Sequence, residues 1–181
     1  MKLTLETERL ILRPFSMDDA EAMFIGWASD PEVTKYLTWP PHESIDVTRS
    51  VLAGWVSEYE KPERLNFGIE LKESGRLIGG IDVVGYMGGV DGTPVIGYAS
   101  AKKFWGNGYM TEACKCLLNY LFDKGYKEVS IDAMVENAGS NRVIQKCGGV
   151  LRSIEPDARP LKGDVVLVNR YIIKSGDRRE D

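Results

Sequence analysis

The chain has 181 residues but only one histidine, His42, and three cysteines. Cys114 and Cys116 lie two positions apart in a helical pattern, so they point to different faces of the helix. Cys147 comes much later. So few Cys and His residues, so placed, favour neither a zinc site nor a disulfide framework. We therefore expect no metal and three unpaired thiols in or beside the core.

The sequence also lacks a basic excess and a long apolar run. Its formal net charge is −4, which leaves no electrostatic footprint for nucleic acid. No apolar stretch approaches the ~18 residues that a membrane span needs, and the start "MKLTLETERL" has no signal-peptide pattern. We expect a cytoplasmic protein with neither nucleic acid nor membrane as a partner.

The composition is that of a globular domain, with 43% hydrophobic and 28% charged residues. We find no repeat, low-complexity stretch or linker. The sequence therefore predicts a single domain over residues 1–181, in which 175–181, "SGDRRED", form a flexible tail.

Alternating apolar patterns predict about seven strands and apolar stripes predict the helices between them. The predicted strands are "ERLILRPF", "RLNFGIEL", "RLIGGIDVVGYM", "VIGYAS", "KEVSIDAMV", "VLRSIE" and "DVVLVNRYIIK". Most follow one another as hairpins, but a helix from about 109 to 124 carries the chain between two strands. Such a crossover implies one parallel pair. The expected fold class is α/β (α+β), with a mixed, mostly antiparallel sheet and helices on both faces.

The stretch "KKFWGNGYMTEA" (102–113) places Gly106 and Gly108 where a strand pattern becomes helical. Glycines there let backbone N–H groups point outward at the positive end of a helix dipole, which is a place to hold an anion. No Gly-Lys-Ser/Thr triplet occurs, so this is not a P-loop. A dinucleotide fingerprint needs Gly or Ala where Thr111 stands, and it needs repeated βαβ units. A tight turn with no ligand remains the alternative to an anion site.

"VIGYASAKKFWGNGYMTEA" followed by "VENAGSNRVIQKCGG" resembles the GCN5-related N-acetyltransferases (GNAT family). "TERLILRPFSMDDAEAMF" and "DPEVTKYL" are similar to its ribosomal-protein-alanine N-acetyltransferase-like branch. The resemblance covers about residues 5–174. It implies a sheet with one splayed parallel strand pair, and acetyl-CoA as cosubstrate, with its pyrophosphate as the anion.

By motif position, the resemblance assigns the cofactor contacts. They are Tyr98, Ala99, Ser100, Lys103, Phe104, Trp105, Gly106, Asn107, Gly108, Tyr109, Asn137 and Ser140. Lys103 departs from the Gln or Arg that usually opens the motif, yet its ammonium can still meet a phosphate. Gly97 fits either a β-bulge that opens a gap beside the pantetheine or a packing requirement.

Many relatives protonate the departing thiolate with a tyrosine four residues after the Ser140 position, where this chain has Ile144. The resemblance makes Ser140 the candidate acid or thiolate hydrogen-bond donor. A serine in the first turn of a helix also commonly bonds backbone. We expect Ile144→Tyr to be tolerated by the fold.

The general base stays open. Relatives often carry a glutamate ahead of the "IGY" strand, where this chain has Val95. Glu70, Asp82, Asp132 or a water relay could serve instead. Glu112, in the first turn of a predicted helix, is interpreted as a structural carboxylate that complements the helix dipole.

Tyr36 and Trp39, near His42, fall in a segment that in this branch lies by the acceptor pocket, and "PDARPLKGD" is expected to form its other wall. The resemblance implies transfer of acetyl to a primary amine, on a peptide N-terminus or a small molecule, through a tetrahedral intermediate. The alternative is a CoA-binding sensor or assembly module without transferase activity. A homodimer also fits the resemblance, while the acceptor and the acyl-chain preference stay open.

Overall fold

The computed structural model describes residues 3–61, 64–89 and 92–177, so the last residues of the predicted tail, 178–181, lie outside it. The strands are β1 Leu5–Glu6, β2 Leu10–Arg13, β3 Asn66–Leu71, β4 Leu77–Met87, β5 Thr93–Ser100, β6 Glu128–Met134, β7 Val150–Arg159 and β8 Asp164–Lys174. The helices are α1 Ala20–Met23, α2 Pro31–Thr34, α3 Ile45–Glu58, α4 Tyr109–Asp123 and α5 Ala138–Lys146. A 3-10 turn precedes α1 and a π-helical turn follows it.

The strands form one sheet in the order β1-β2-β3-β4-β5-β6-β8-β7. Every neighbouring pair is antiparallel except β5 and β6, which α4 connects as a crossover. The mixed, mostly antiparallel sheet and its parallel pair are therefore confirmed. No helix in the described part of the chain is long and apolar enough to cross a membrane.

The structure adds one strand and lengthens another. β1 is a two-residue strand that pairs with β2, too short to leave an alternating pattern in the sequence. β7 continues to Arg159, past the point where the sequence predicts a loop. Pro156 suggested that loop, but β7 is the outermost strand, and an edge strand tolerates a residue without an N–H group.

Helices cover both faces of the sheet, as expected. On one face, the apolar side of α4 packs with α5 against the central strands. Its buried residues include Cys114, Leu117, Leu121, Ile131 and Ile144. On the other face, a smaller cluster joins the α1 region to α3 through Met23, Trp27 and Leu52. Residues that alternate along a central strand therefore face either the α4 side or the α1–α3 side.

Two glycines of β4 differ in the space around them. A methyl group at Gly79 would lie 2.4 Å from the backbone oxygen of Ala99 on β5, whereas one at Gly85 would meet nothing within 4 Å. The first contact is to main chain, which cannot move aside without shifting β5. Close approach of the two strands therefore requires glycine at 79 and not at 85.

Gly79→Ala is expected to lower the free energy of unfolding by at least about 1 kcal/mol, or roughly 2–4 °C in melting temperature. The matched variant Gly85→Ala should leave stability unchanged or raise it slightly, because alanine restricts the unfolded chain. Thermal and denaturant unfolding measure both. Equal effects of the two variants would show that β4 and β5 do not approach as described.

Candidate active site

The glycine turn between β5 and α4 has the backbone geometry of an anion cradle. A 3-10 turn, Lys102–Phe104, leads into Gly106 and Gly108, which both have φ of +79°. Gly108 is the N-cap of α4, whose first backbone bond runs from Glu112 N to Gly108 O at 3.0 Å. The left-handed conformation at two alternate positions suits glycine and turns successive N–H groups to one side.

Side chains stabilise this turn by hydrogen bonds to backbone oxygens. Asn107 Nδ2 donates to the backbone oxygens of Phe104 and Trp105, both at 3.1 Å. The Trp105 indole donates to Ser100 O at 3.0 Å. The N–H groups of Phe104 and Trp105 are engaged within the turn. In the described part of the chain, no hydrogen bond uses the N–H groups of residues 106–108, so these donors are available to a ligand.

Arg9 and Glu112 tie the cradle to the start of the chain. Glu112 accepts hydrogen bonds from Thr7 Oγ1 at 2.5 Å, Arg9 N at 2.9 Å and Arg9 Nε at 2.6 Å. Burial opposes ionisation of Glu112, but the bonds from Thr7 and Arg9 prevail and lower its pKa. Arg9 also donates to Asn107 O at 3.2 Å and covers the Tyr109 ring. These contacts support the interpretation of Glu112 as structural.

Directly before the cradle in the chain, strands β5 and β6 separate. β5 and β6 pair only at Val95 with Ser130 and at Ile96 with Ile131. Beyond these pairs β5 continues to Ser100 and β6 to Met134, so the strand ends diverge. We call the gap between residues 97–100 and 132–134 the opening. On its other edge β5 remains bonded to β4, and its alternating N–H and C=O groups on the opening side are available to an extended ligand.

Gly97 is the first residue of the opening, and packing explains why this position is a glycine. The irregularity lies in β4, where the register shifts between Val83 and Gly85. A methyl group at Gly97 would lie 2.7 Å from Val84 Cγ1. The bulge is therefore in the neighbouring strand, and Gly97 makes room for it.

The N-terminus of α5 closes the far side of the opening. Asn137 is the N-cap, as predicted, and its Oδ1 accepts from Ser140 N at 3.1 Å. Tyr98 extends from β5 so that its hydroxyl lies 2.8 Å from Ser140 Oγ. The sequence did not indicate this contact, because Tyr98 and Ser140 belong to different motifs.

Ile144 faces away from this site. It is fully buried in the cluster that α4 and α5 share. The expectation that Ile144→Tyr is tolerated is therefore wrong, because a larger and polar side chain would overpack a closed core.

Asn141 is a buried polar residue that sequence reasoning missed. Its Nδ2 donates to Met134 O and Asn137 O, at 2.9 and 2.8 Å. Its Oδ1 accepts from Tyr171 Oη and Asn169 Nδ2, both at 2.8 Å. These bonds join β6, α5 and β8 behind the opening. The only signal was a second asparagine four residues after the N-cap.

Two of the three candidate bases are ion-paired. Glu70 Oε2 lies 2.7 Å from Arg13 Nε, and the same guanidinium binds Asp19 at 2.9 Å. Asp132 accepts from Arg170 Nη2 at 3.0 Å. Both carboxylates therefore have an arginine partner within hydrogen-bond distance.

Asp82 has a different environment. It lies on β4 opposite Gly97, and a methyl group at Gly97 would be 3.6 Å from Asp82 Oδ1. Gly80, two residues earlier, faces Phe15, so both residues lie on the α1–α3 side. Burial raises the pKa of Asp82 to about 6, and nearby Arg64 opposes the shift. In the described residues no hydrogen bond or ion pair engages its carboxylate.

The predicted acceptor walls contact each other. Tyr36 and Trp39 are half-buried, and Trp39 packs against the α1–α3 cluster. The turn between β7 and β8 reaches this segment. Arg159 Nη1 donates to Lys35 O at 2.8 Å, and Lys162 Nζ donates to Thr34 O at 2.6 Å.

Arg159 Nη1 also lies 3.7 Å from Met134 Sδ at the end of β6. The turn and the 34–37 segment therefore meet beside the opening.

The groove between β1 and α4 and the three cysteines are not part of the predicted cofactor site. A groove of about 460 Å³ runs between β1 and α4, lined by Leu5, Thr7, Cys116 and Tyr120 among others. It contains none of the predicted cofactor contacts. Cys114, Cys116 and Cys147 are free thiols. The described residues contain no cluster of three or more His, Cys, Asp or Glu side chains arranged to hold a metal.

Comparison with known proteins agrees with this geometry. The family model described as "Acetyltransferase (GNAT) domain" matches residues 9–150. The uncharacterized N-acetyltransferase YoaA of Bacillus subtilis is 33% identical over 155 residues, which cover 82% of this chain and 85% of YoaA. The crystal structure of a GNAT-family acetyltransferase from Bacillus anthracis has a TM-score of 0.82 at 25% identity, covering 95% of this chain and 98% of that one.

RimL, a ribosomal L7/L12 α-N-protein acetyltransferase solved in complex with coenzyme A, has a TM-score of 0.81. At 20% identity, with coverage of 95% of this chain and 98% of RimL, it shows the shared fold.

The chain belongs to the GNAT acetyltransferase family, and it is an acetyl-CoA-dependent acetyltransferase. The family and the enzyme class predicted from the two motifs are confirmed. The role of each cofactor contact, the acceptor, the homodimer and the compartment stay predictions.

The cradle can be tested by placing a negative charge in it. Gly106→Asp should weaken acetyl-CoA binding at least tenfold, about 1.4 kcal/mol, because its carboxylate would repel a phosphate group. Calorimetric titration measures the dissociation constant.

Two variants control for backbone strain in that experiment. Gly106→Asn carries the same strain without the charge and should weaken binding less. Gly125→Asp has a comparable φ of +99° at the other end of α4, again with open space around it, and should bind normally. Similar binding by both aspartate variants would place the phosphate elsewhere.

Proposed function

We propose that this chain transfers the acetyl group of acetyl-CoA directly to a primary amine, through a tetrahedral intermediate. The observation that carries the proposal is the continuity of the glycine cradle with the opening between β5 and β6. An elongated ligand whose anionic end lies at residues 106–108 would reach the opening with its other end. Acetyl-CoA has that shape, and it supplies an acetyl group activated as a thioester.

At the anionic end, the N–H groups of residues 106–108 and the positive end of the α4 dipole favour a pyrophosphate. Lys103 adds a cation at the rim. In the opening, the unpaired edge of β5 at residues 97–100 offers strand-like hydrogen bonds to the amide groups of pantetheine. An N–H group from the same edge can polarise the thioester carbonyl and stabilise the oxyanion.

Asp82 is the residue that we propose as general base. A base must be ionised near neutral pH and must also hold a proton well, so a raised pKa suits it. Glu70 and Asp132 are ion-paired with Arg13 and Arg170, whereas no hydrogen bond or ion pair engages the carboxylate of Asp82 in the described residues. Asp82 lies at the beginning of the opening, on the α1–α3 side, where the segment with Tyr36 and Trp39 is also found.

The acceptor that we propose is a primary amine, on a peptide N-terminus or on a small molecule. RimL, which shares the fold, is described as an acetyltransferase of an α-amino group. An α-amino group titrates near ~8, whereas a lysine side chain titrates near ~10.4. A single carboxylate with a pKa of about 6 removes a proton more readily from an α-amino group than from a lysine side chain.

The test is acetyl-CoA turnover, read by thiol release, across N-terminal peptides, amino acids, polyamines and other small amines. Turnover with at least one amine class, and transfer of the acetyl group to its nitrogen by mass spectrometry, supports the proposal. Tight acetyl-CoA binding without turnover on any amine would contradict it and favour a CoA-binding sensor.

Asp82→Asn is expected to lower kcat at least tenfold and to remove the acid limb of the pH–rate profile near pH 6.

The same change should stabilise the protein. Because the folded-state pKa of Asp82 is raised, wild-type stability falls as pH rises through about 6. The variant should therefore gain on the order of 1 kcal/mol above that pH and nothing below about pH 4.

Asp132→Asn is the matched control, since it removes a carboxylate whose charge Arg170 already compensates. It should retain the acid limb near pH 6. If that limb disappears in Asp132→Asn and persists in Asp82→Asn, the base is assigned to the wrong residue.

A further inference from the structure

Arg9 lies in the turn between β1 and β2, far in the sequence from the predicted cofactor contacts, and yet it bonds to the cradle. Its Nη1 donates to Asn107 O at 3.2 Å, between the two glycines of the cradle. A guanidinium carries only donors and stays protonated in proteins, so the direction of this hydrogen bond is fixed. A charged donor also makes a stronger bond than a neutral one. Arg9 therefore holds the backbone oxygen in the middle of the cradle.

The bond to Asn107 O sets the direction of the next N–H group. The described residues contain no cis peptide bond, and in a trans peptide the C=O and N–H groups point in opposite directions. Because Asn107 O faces Arg9, the N–H group of Gly108 points to the other side. This N–H group has no hydrogen-bond partner in the described residues. Arg9 thus directs one of the donors that the cradle offers to an anion.

The peptide between Asn107 and Gly108 needs such a bond because glycine does not fix it. Gly108 has a φ of +79°, but glycine adopts positive and negative φ about equally readily. Rotation of this peptide would turn its carbonyl oxygen, which is the negative end of the dipole, toward a bound phosphate. A cradle without Arg9 would therefore present the ligand with a mixture of attractive and repulsive orientations.

Arg9 is itself fixed by its neighbours. Its Nε donates to Glu112 Oε2 at 2.6 Å and its backbone N donates to Glu112 Oε1 at 2.9 Å. The guanidinium carbon lies 4.6 Å from the centre of the Tyr109 ring. A planar guanidinium can bond to Glu112 and Asn107 O through different nitrogens and still cover a ring, which the compact ammonium of lysine cannot do in the same way.

We propose that Arg9 is a positioning residue of the cofactor site. Its guanidinium, oriented by Glu112, holds Asn107 O so that the N–H group of Gly108 is directed at the pyrophosphate. This role rests on the proposed function, in which the pyrophosphate of acetyl-CoA lies in the cradle. The turn between β1 and β2 is then part of the cofactor site.

The dissociation constant of CoA, from calorimetric titration, tests this role without an acceptor amine. Arg9→Gln should weaken CoA binding about tenfold, because a hydrogen bond from a charged group is lost and the Gly108 donor is no longer directed. Arg9→Lys keeps the charge without the planar fork, and its binding should stay about fivefold or more weaker than that of the wild type. Arg49→Gln is the control, since it removes an exposed arginine that is ion-paired on α3, and it should bind CoA normally.

Dephospho-CoA separates positioning from a direct contact with a different phosphate. It lacks the 3′-phosphate of CoA but keeps the pyrophosphate. Arg9→Gln should therefore weaken binding of dephospho-CoA by the same factor as binding of CoA. A loss confined to CoA would mean that Arg9 binds the 3′-phosphate, and it would overturn the positioning role.

Two further readouts distinguish positioning from a general loss of stability. In ¹H–¹⁵N spectra of the wild type, saturation with CoA should move the amide proton of Gly108 downfield, as expected for a donor to phosphate. The shift should be smaller in Arg9→Gln at saturation. In turnover, the effect of Arg9→Gln should fall on KM for acetyl-CoA more than on kcat, because Arg9 contacts the cradle and not the opening.

The outcomes separate this role from the proposed function. Wild-type binding of CoA by Arg9→Lys would show that a positive charge is sufficient, and would overturn the positioning role. Wild-type binding by Arg9→Gln would overturn it as well and would leave the proposed transfer to an amine intact. Failure of the wild-type protein to bind CoA would overturn both.

Discussion

The arrangement of the candidate site depends on how little β5 and β6 pair. Parallel strands joined by a helix ordinarily continue side by side, yet here only two residue pairs hold them together. Pairing along their full length would close the opening and bond the edge of β5 that a ligand needs. The short pairing is stable because each strand has a complete antiparallel neighbour, β4 for β5 and β8 for β6.

Charge is distributed unevenly around this opening. Glu70, Asp132 and Glu112 are each ion-paired with an arginine. Asp82 is the exception, since burial rather than a paired cation sets its pKa. A half-buried carboxylate that costs stability when ionised is typical of a functional residue. Burial likewise raises the pKa of Tyr98, so its hydroxyl stays protonated.

Local features of the site could be predicted from the sequence. The two glycines of the cradle and the Asn137 cap depend on backbone conformations that few residue types adopt, so the residues themselves indicate them. The order of the predicted elements indicated that α4 is a crossover between two strands, and a crossover of this kind implies a parallel pair.

Contacts between distant segments could not be predicted in this way. The approach of Tyr98 to Ser140 depends on where α5 begins after β6, and no local pattern records it. The burial of Ile144 depends on which side of α5 meets α4. Pro156 misled the prediction of β7, because only the sheet order shows that this strand lies at the edge, where a proline is tolerated.

Backbone hydrogen exchange in the presence and absence of acetyl-CoA shows whether the cradle and the opening bind this ligand. We expect slowed exchange at residues 106–108 and at those residues of 97–100 whose N–H groups face the opening, because these groups would bind the ligand, together with the first turn of α5. Unchanged exchange at these positions with saturating acetyl-CoA would contradict it, as would protection confined to the groove between β1 and α4.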